Sequence, residues 1–222
     1  MSSTQPPIVI ALDGPAASGK GTLARSIAAH YDFAHLDTGI LYRGVAWIML
    51  NDREDPEDAA RAVRAAKEFS LEKIRGAAIR TPQVSAASSI VAANPGVRQA
   101  LLQFQRRFAE TPPGEKKGAV LDGRDIGTKV CPDATVKFYV TASPEIRAQR
   151  RHEEMIAAGR ETTLADVLAD LKVRDERDAN RDDAPMVQSE DAELLDTTSL
   201  SIEGAFAAAR RVIDDVFRRR AL

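Results

Sequence analysis

A single cysteine, Cys131, stands among 222 residues, so an internal disulfide is excluded and a reducing, cytoplasmic setting is the expectation. Only three histidines occur, His30, His35 and His152, and none has the spacing of a metal ligand, so no metal-ligating set is expected. Long apolar runs are missing as well. Ile40 to Leu50 stops at the polar NDRED, short of the roughly 18 apolar residues that a membrane helix needs. The opening MSSTQPPIVIALD has neither the basic region nor the apolar stretch of a signal peptide. Nor does charge of one sign dominate: 31 Lys+Arg against 33 Asp+Glu give a formal net charge of -2. That balance gives no bulk attraction to nucleic acid or to a membrane, and any anion site must be built locally.

What the chain does have is alternation. Ile8 to Leu12 is a short apolar run rich in β-branched residues, as expected of a parallel strand buried on both faces. Leu23, Ile27 and Ala28, at i, i+4 and i+5, then give the stretch after it one apolar helical face. FAHLD at 33–37, GAVLD at 118–122, TVKFYVT at 135–141 and ELLDTT from 193 predict further strands. Helices are predicted over Ile40 to Leu50 and around Val97 to Phe108. Ser143 as N-cap before Pro144 starts another, which ends near Gly159. Thr163 and Asp166 form a capping-box pattern ahead of Leu164, Val167, Leu168 and Leu171. Ile202, Phe206, Val212, Ile213 and Val216 line a terminal helix. Strands alternating with helices predict an α/β fold, an open parallel sheet flanked by helices on both faces. The expected organisation is one domain with its core at about 1–50, 114–150 and 190–222 and a largely helical insert at about 51–113.

Between the first strand and its helix stands GPAASGKGT: Gly14, Pro15, Ala16, Ala17, Ser18, Gly19, Lys20, Gly21 and Thr22. A GxxxxGK match alone would arise by chance in about one chain in twenty of this length. Its place after a buried strand and before an amphipathic helix is the context that makes it a phosphate cradle rather than a plain glycine-rich turn. The glycines let backbone N–H groups turn inward on phosphate oxygens, the helix N-terminus adds positive potential, and Lys20 supplies a full charge. Gly21 follows the lysine where the simplest Walker pattern has Ser or Thr, and the hydroxyl comes one place later at Thr22. GKGT in that form resembles the nucleoside monophosphate kinases, which hold Mg2+ largely through phosphates and water.

An enzyme that seats two anionic molecules end to end needs arginines converging from separate segments. Arg43 follows DTG; Arg124 lies in DGRD at the end of a predicted strand, where ligands of open α/β sheets bind. Arg174, Asp178 and Arg181, at i, i+4 and i+7, would share one helix face. Arg147, Arg150 and Arg151 repeat that spacing one helix earlier. The plain alternative for each is a solvated face of weak ion pairs.

Taken in order, GPAASGKGT, LDTGILYR, SIVAANPGVRQALLQFQRRF, LDGRDIGTKVCPDATVKFYVTAS and RDERDANRDDAPM resemble the bacterial cytidylate kinases over essentially the whole chain. The resemblance implies a P-loop kinase of the nucleoside monophosphate type that transfers the γ-phosphoryl group of ATP to CMP or dCMP with Mg2+, giving CDP or dCDP. It implies small-molecule nucleotides as the partners of a monomer, without nucleic acid or membrane. Gly14 to Thr22 would hold the ATP phosphates, with Lys20 as the clamp. Thr38 and Arg43, with Arg124 and Arg181, would meet the α-phosphate side of CMP; Arg174 and Asp178, the sugar hydroxyls; Ser89, Arg98 and Asp125, the cytosine ring. Arg147, Arg150 and Arg151 resemble a mobile lid, about 150–165, and Arg147 and Arg151 join Lys20, Arg124 and Arg181 in the implied catalytic set. The stretch between Arg43 and Ser89 is shorter than in the long-type members, whose insert carries a small antiparallel sheet. Two rival readings remain at this level: a P-loop kinase acting on UMP or on a non-nucleotide acid, and a GTPase-like switch. The second would need an NKxD motif, and no Asn-Lys pair occurs in the chain.

Overall fold

The computed structural model describes residues 6–74 and 78–220. Five strands, β1 (Ile8–Asp13), β2 (Ala34–Asp37), β3 (Gly118–Asp122), β4 (Val136–Thr141) and β5 (Glu193–Asp196), form one parallel sheet in the order β2-β3-β1-β4-β5. From β1 the chain first builds outward to β2 and β3, then crosses to the other side for β4 and β5. That reversal leaves a crevice at the carboxyl ends of the central strands, the usual ligand position of open α/β sheets.

The period of two along each strand divides the core. Ile10, Leu12, Val120, Phe138 and Val140 pack with Leu23 and Ile27 of α1 (Lys20–Tyr31) and with Ala209 and Ile213 of α8 (Ile202–Arg220). Ala11, Leu36 and Leu121 point the other way, against Leu102 and Ala109 of α5 (Pro95–Glu110) and against a π-helical turn, Ile126–Val130. Both faces are thus covered, as the continuous apolar strands require.

Residues of the insert pack with α2 (Gly39–Asn51) into a further cluster. Leu41, Val45 and Met49 meet Ala62 of α3 (Ala59–Lys67), Val84 and Val91 of α4 (Pro82–Val91), and Val97 and Leu101 of α5. No strand occurs between α2 and α5 among the described residues, in line with the helical reading of that stretch. Next come α6 (Pro144–Ala157) and α7 (Leu164–Ala179), joined through Ala148, Val167 and Leu171. The cap residues sit where expected: Ser143 Oγ accepts from Ile146 N at 3.3 Å, Thr163 Oγ1 from Asp166 N at 3.1 Å, and Gly159 has φ 71° just past α6. Among the described residues, no helix is long and apolar enough to cross a membrane.

Three expectations need correction. Helix α7 stops at Ala179 with Asn180 as its cap, so Arg181 is not on the helical face of Arg174 and Asp178; a turn beyond the helix brings it back. Leu164 and Ile202, read as part of the apolar patterns of their helices, are 47% and 61% exposed. Both are first residues of their helices, where a side chain leans back over the preceding turn and away from the packed face.

Candidate active site

The cleft at the carboxyl ends of β1, β2 and β3 has a volume of about 310 Å3 and is lined from both the phosphate loop and the insert. Its floor is the loop between β1 and α1. Gly14, at φ 141°, lies so close to β4 that a Cβ would stand 2.0 Å from the Val140 carbonyl oxygen, which no other residue can accommodate. Gly19, at φ 86°, caps α1, and Ala17 takes φ 59° between them. Lys20 opens the helix, is 8% exposed, and donates from Nζ to the Pro15 carbonyl at 2.9 Å. Burial, then the positive charges of Arg124 and Arg174, pull its pKa from 10.5 to about 7 against the opposing pull of Asp122 and Asp37.

Opposite this loop five arginines converge from separate parts of the chain. Arg43 of α2 donates to Asp37 Oδ2 at 2.7 Å, and Arg80 reaches the same oxygen at 3.5 Å. Arg124, just past β3, donates from Nε to Asp178 at 2.9 Å and from Nη1 to the Gly123 carbonyl at 3.1 Å. Arg181 is buried, donates to the Ala184 carbonyl at 3.0 Å and lies 3.9 Å from Asp178. Arg174 is pulled down to about 10 by burial and by Arg124 beside it. Burial alone would raise the Asp178 carboxyl; Arg124, Arg174 and Arg181 around it outweigh that and hold it below the ordinary carboxylate range. Thr38 Oγ1 donates to the Asp122 carbonyl at 2.8 Å, pinning the start of α2 to β3. Cation exceeds anion here: the Nε atoms of Arg43, Arg174 and Arg181, with Ser18 Oγ, are buried without a hydrogen-bond partner. Buried polar groups in that condition call for a polar ligand.

At the far end of the cleft, Arg98 of α5 and Asp125 form a buried ion pair. Arg98 also donates to the Ala92 carbonyl at 3.3 Å, lies 3.5 Å from Asp183 and faces the Tyr42 ring at 5.6 Å. Ser89 of α4 is buried and accepts from Arg177 at 3.0 Å.

The structure therefore gathers Ala16 to Thr22, Thr38, Arg43, Ser89, Arg98, Arg124, Asp125, Arg151, Arg174, Asp178 and Arg181 around one cleft. Gly14 and Pro15, at the start of the loop, are buried and do not line the cleft. Arg147 is a departure. It is buried and donates to the Ala142 carbonyl at 3.0 Å and the Ala16 carbonyl at 3.3 Å, and its Nη2 pairs with Asp175 at 2.7 Å. In this conformation it braces the phosphate loop against α6 and α7 and does not line the cleft, because three acceptors already surround its guanidinium. Arg150 is likewise spent on Thr197, with bonds of 3.0 and 2.7 Å to its hydroxyl and carbonyl. His35 faces Asp122 at 2.7 Å and His152 the Thr162 carbonyl at 3.1 Å, both structural contacts. Burial pushes the Cys131 thiol up to about 11, which fits an inert residue.

Sequence reasoning passed over Asp13, Asp37 and Asp122. The signal was there: ALD, HLD and VLD each end a buried parallel strand with a carboxylate at the ligand edge of the sheet. Arg80, Arg177 and Asp183 carry no comparable signal, since each is one charge in a polar stretch.

The family model for cytidylate kinase matches residues 10–215. The cytidylate kinase of Brucella suis biovar 1 is 52% identical over 208 residues, which is 94% of this chain and 93% of the relative. That of Xanthobacter autotrophicus is 53% identical over 207 residues, 93% of this chain and 97% of the relative. Among solved structures, an uncharacterised protein from Eubacterium ventriosum superposes with a TM-score of 0.55 at 15% identity, covering 93% of this chain and 98% of that one. A gluconokinase from Sinorhizobium meliloti superposes with a TM-score of 0.50 at 11% identity, covering 96% and 97%. At those identities the two structures speak for the fold alone.

Proposed function

This chain belongs to the cytidylate kinase family, and on that premise we propose that it transfers the γ-phosphoryl group of ATP to the α-phosphate of CMP and dCMP, giving CDP and dCDP. The observation that carries this reading is the cluster of buried arginines whose Nε donors lack partners, facing a phosphate loop across a single cleft. Fixed donors of this kind suit a phosphate dianion. Gly14 to Thr22 hold the ATP phosphates, with Lys20 as the charged clamp. Arg43, Arg124 and Arg181 take the acceptor phosphate, and Arg174 and Asp178 face the sugar.

Base choice follows from which hydrogens are committed. Arg98 occupies Oδ2 of Asp125, and the other carboxylate oxygen accepts from the cytosine N4 amino group. Uracil presents O4 there, itself an acceptor, and is repelled. Arg98 donates to ring acceptors of cytosine, and Ser89 completes the pocket. A site of buried polar groups rejects a base that leaves them unpaired.

Mg2+ prefers oxygen donors, keeps several waters and binds through phosphates and one or two carboxylates, and the mouth of the cleft suits it. Asp122 lies beside Gly21 and Asp37 stands in register with it on the next strand, and each commits one oxygen to a neighbour, Asp122 to His35 and Asp37 to Arg43. Those two carboxylates would hold its water shell, and the ion would neutralise charge on the donor phosphates. No general base is required, because a phosphate monoester is largely ionised at neutral pH, its second pKa being about 6. Positioning and charge stabilisation do the work. Arg151, which lines the cleft beside Glu154, belongs to the segment that closes over the phosphates and excludes water.

A coupled assay with ATP, Mg2+ and each of CMP, dCMP, UMP and AMP tests the proposal. Turnover of CMP and dCMP well above UMP is expected. UMP turned over as well as CMP refutes the base reading, and absence of transfer to every monophosphate refutes the reaction.

A further inference from the structure

Asp13 ends β1 and sits 5% exposed beneath the cleft. Its carboxylate accepts from two successive backbone N–H groups, Ile126 through Oδ1 and Gly127 through Oδ2, each at 2.7 Å. These amides open the π-helical turn, and the first N–H groups of any helical turn have no partner within it. Asp13 thus caps that turn from another strand. The residues immediately before the turn are Arg124 and Asp125, which carry the acceptor phosphate and the base in the reading above. The residue immediately after Asp13 is Gly14, the first of the phosphate loop, itself pressed against Val140.

One side chain therefore joins the two halves of the cleft by hydrogen bonds, with Gly14 next to Asp13 in the chain and Asp125 next to Ile126. A backbone bond from Gly123 N to the Leu12 carbonyl at 2.9 Å runs parallel to it. Gly127 keeps the seat tight: a Cβ there would stand 3.4 Å from Asp13 Oδ2 and 3.1 Å from Lys137 Cδ. Burial, with Asp125 adding to it, lifts the Asp13 carboxyl from 3.8 to about 6, against the two N–H groups and Lys20. An asparagine would fill the same volume without a buried charge. Only one of its two termini accepts a hydrogen bond, however, so it cannot hold both amides.

We propose that Asp13 is a positioning residue for phosphoryl transfer: by holding the Ile126 and Gly127 N–H groups it sets Arg124 and Asp125, and with them the acceptor phosphate, at the reacting distance from the phosphate loop. The assignment rests on the proposed CMP kinase reading. A displacement of about 1 Å at a reacting centre costs on the order of a hundredfold in rate, while ground-state binding of either nucleotide alone tolerates it.

The test is Asp13→Asn in the full chain. The expected result is a fall in kcat with CMP of about ten- to hundredfold, with ADP affinity by equilibrium titration unchanged and Tm no lower than that of the unmutated protein at pH 7.5. Amide exchange of the peptide covering 123–130 should become faster. An unchanged kcat, unchanged exchange at Ile126 and Gly127, or a loss of kcat that only tracks falling Tm and falling ADP affinity each overturns the proposal. If the unmutated chain does not phosphorylate CMP at all, the functional reading fails first and this assignment with it. An active unmutated chain matched by Asp13→Asn overturns this assignment alone.

Discussion

Lys20 offers a quantitative test of the phosphate site. Its ammonium is buried, donates to the Pro15 carbonyl at 2.9 Å, and is brought from 10.5 to about 7 by burial and by the neighbouring arginines. A triphosphate seated on the loop adds negative charge beside it and returns the lysine toward its ordinary range, so binding must take up a proton. With a half-titration point near 7 in the empty protein, the uptake is about half a proton at pH 7 and about 0.9 at pH 8. ATP affinity should correspondingly weaken as pH rises above 7, approaching about tenfold, or 1.4 kcal/mol, per pH unit. Calorimetric titration at pH 8 in two buffers of different ionisation enthalpy reads the uptake directly. The last ionisation of a phosphate, near pH 6, contributes little there, and Lys20→Met supplies the subtraction. The empty protein shows the opposite face of the same linkage. The folded-state pKa lies below the unfolded value, so between about 7 and 10.5 the unfolded chain binds more protons and stability rises with pH. Below pH 7 the charged form carries its burial cost in full, with a ceiling of about 5 kcal/mol, and Lys20→Met should raise Tm there while abolishing transfer. Proton uptake absent at pH 8, or equally large in Lys20→Met, or an ATP affinity flat from pH 7 to 9, refutes the reasoning.

Two further perturbations separate specificity from packing. Asp125→Asn should lower the CMP-over-UMP ratio of kcat/KM by about 10- to 100-fold, equivalent to 1–3 kcal/mol; steady-state kinetics with both substrates measures it, and an unchanged ratio contradicts the role given to Asp125. Alanine is the poorer probe at that position, since it removes the hydrogen-bond acceptor of buried Arg98 as well as the charge, whereas asparagine keeps an acceptor oxygen. Gly44→Ala places a Cβ 2.3 Å from Phe69 Cε2, so the Phe69 ring must leave its seat or α2 must move away from it. A stability loss of about 1–3 kcal/mol is expected by denaturant titration, partly restored by Phe69→Leu, and wild-type stability of Gly44→Ala would show that the insert is looser than its packing implies.

Much of the architecture was written in local pattern. Five short runs with apolar centres, a capped start at Ser143 and another at Thr163, and a glycine at 159 read directly as strands, helix starts and a helix end, because periodicity and capping act over a few residues. The loop between β1 and α1 was legible for the same reason: strand, glycines, lysine and helix are contiguous. Most of the residues that line the cleft were nameable too, through motifs that keep their spacing.

Tertiary structure alone decided which of several similar arginines face the cleft. Arg147 and Arg151 stand four apart in one polar stretch, yet Arg147 is enclosed by the Ala16 and Ala142 carbonyls and Asp175 while Arg151 lines the cleft. Arg181 reaches the site from beyond the end of α7, not along it, because Asn180 stops the helix. The pairing of Arg98 with Asp125, of Arg177 with Ser89, and of Asp13 with Ile126 and Gly127 joins residues far apart in the chain. Composition and spacing specify that charge will be present; the crossing of the sheet at β1 brings chosen charges within bonding distance, since hydrogen bonds and ion pairs depend on a few ångströms of separation that local pattern does not encode.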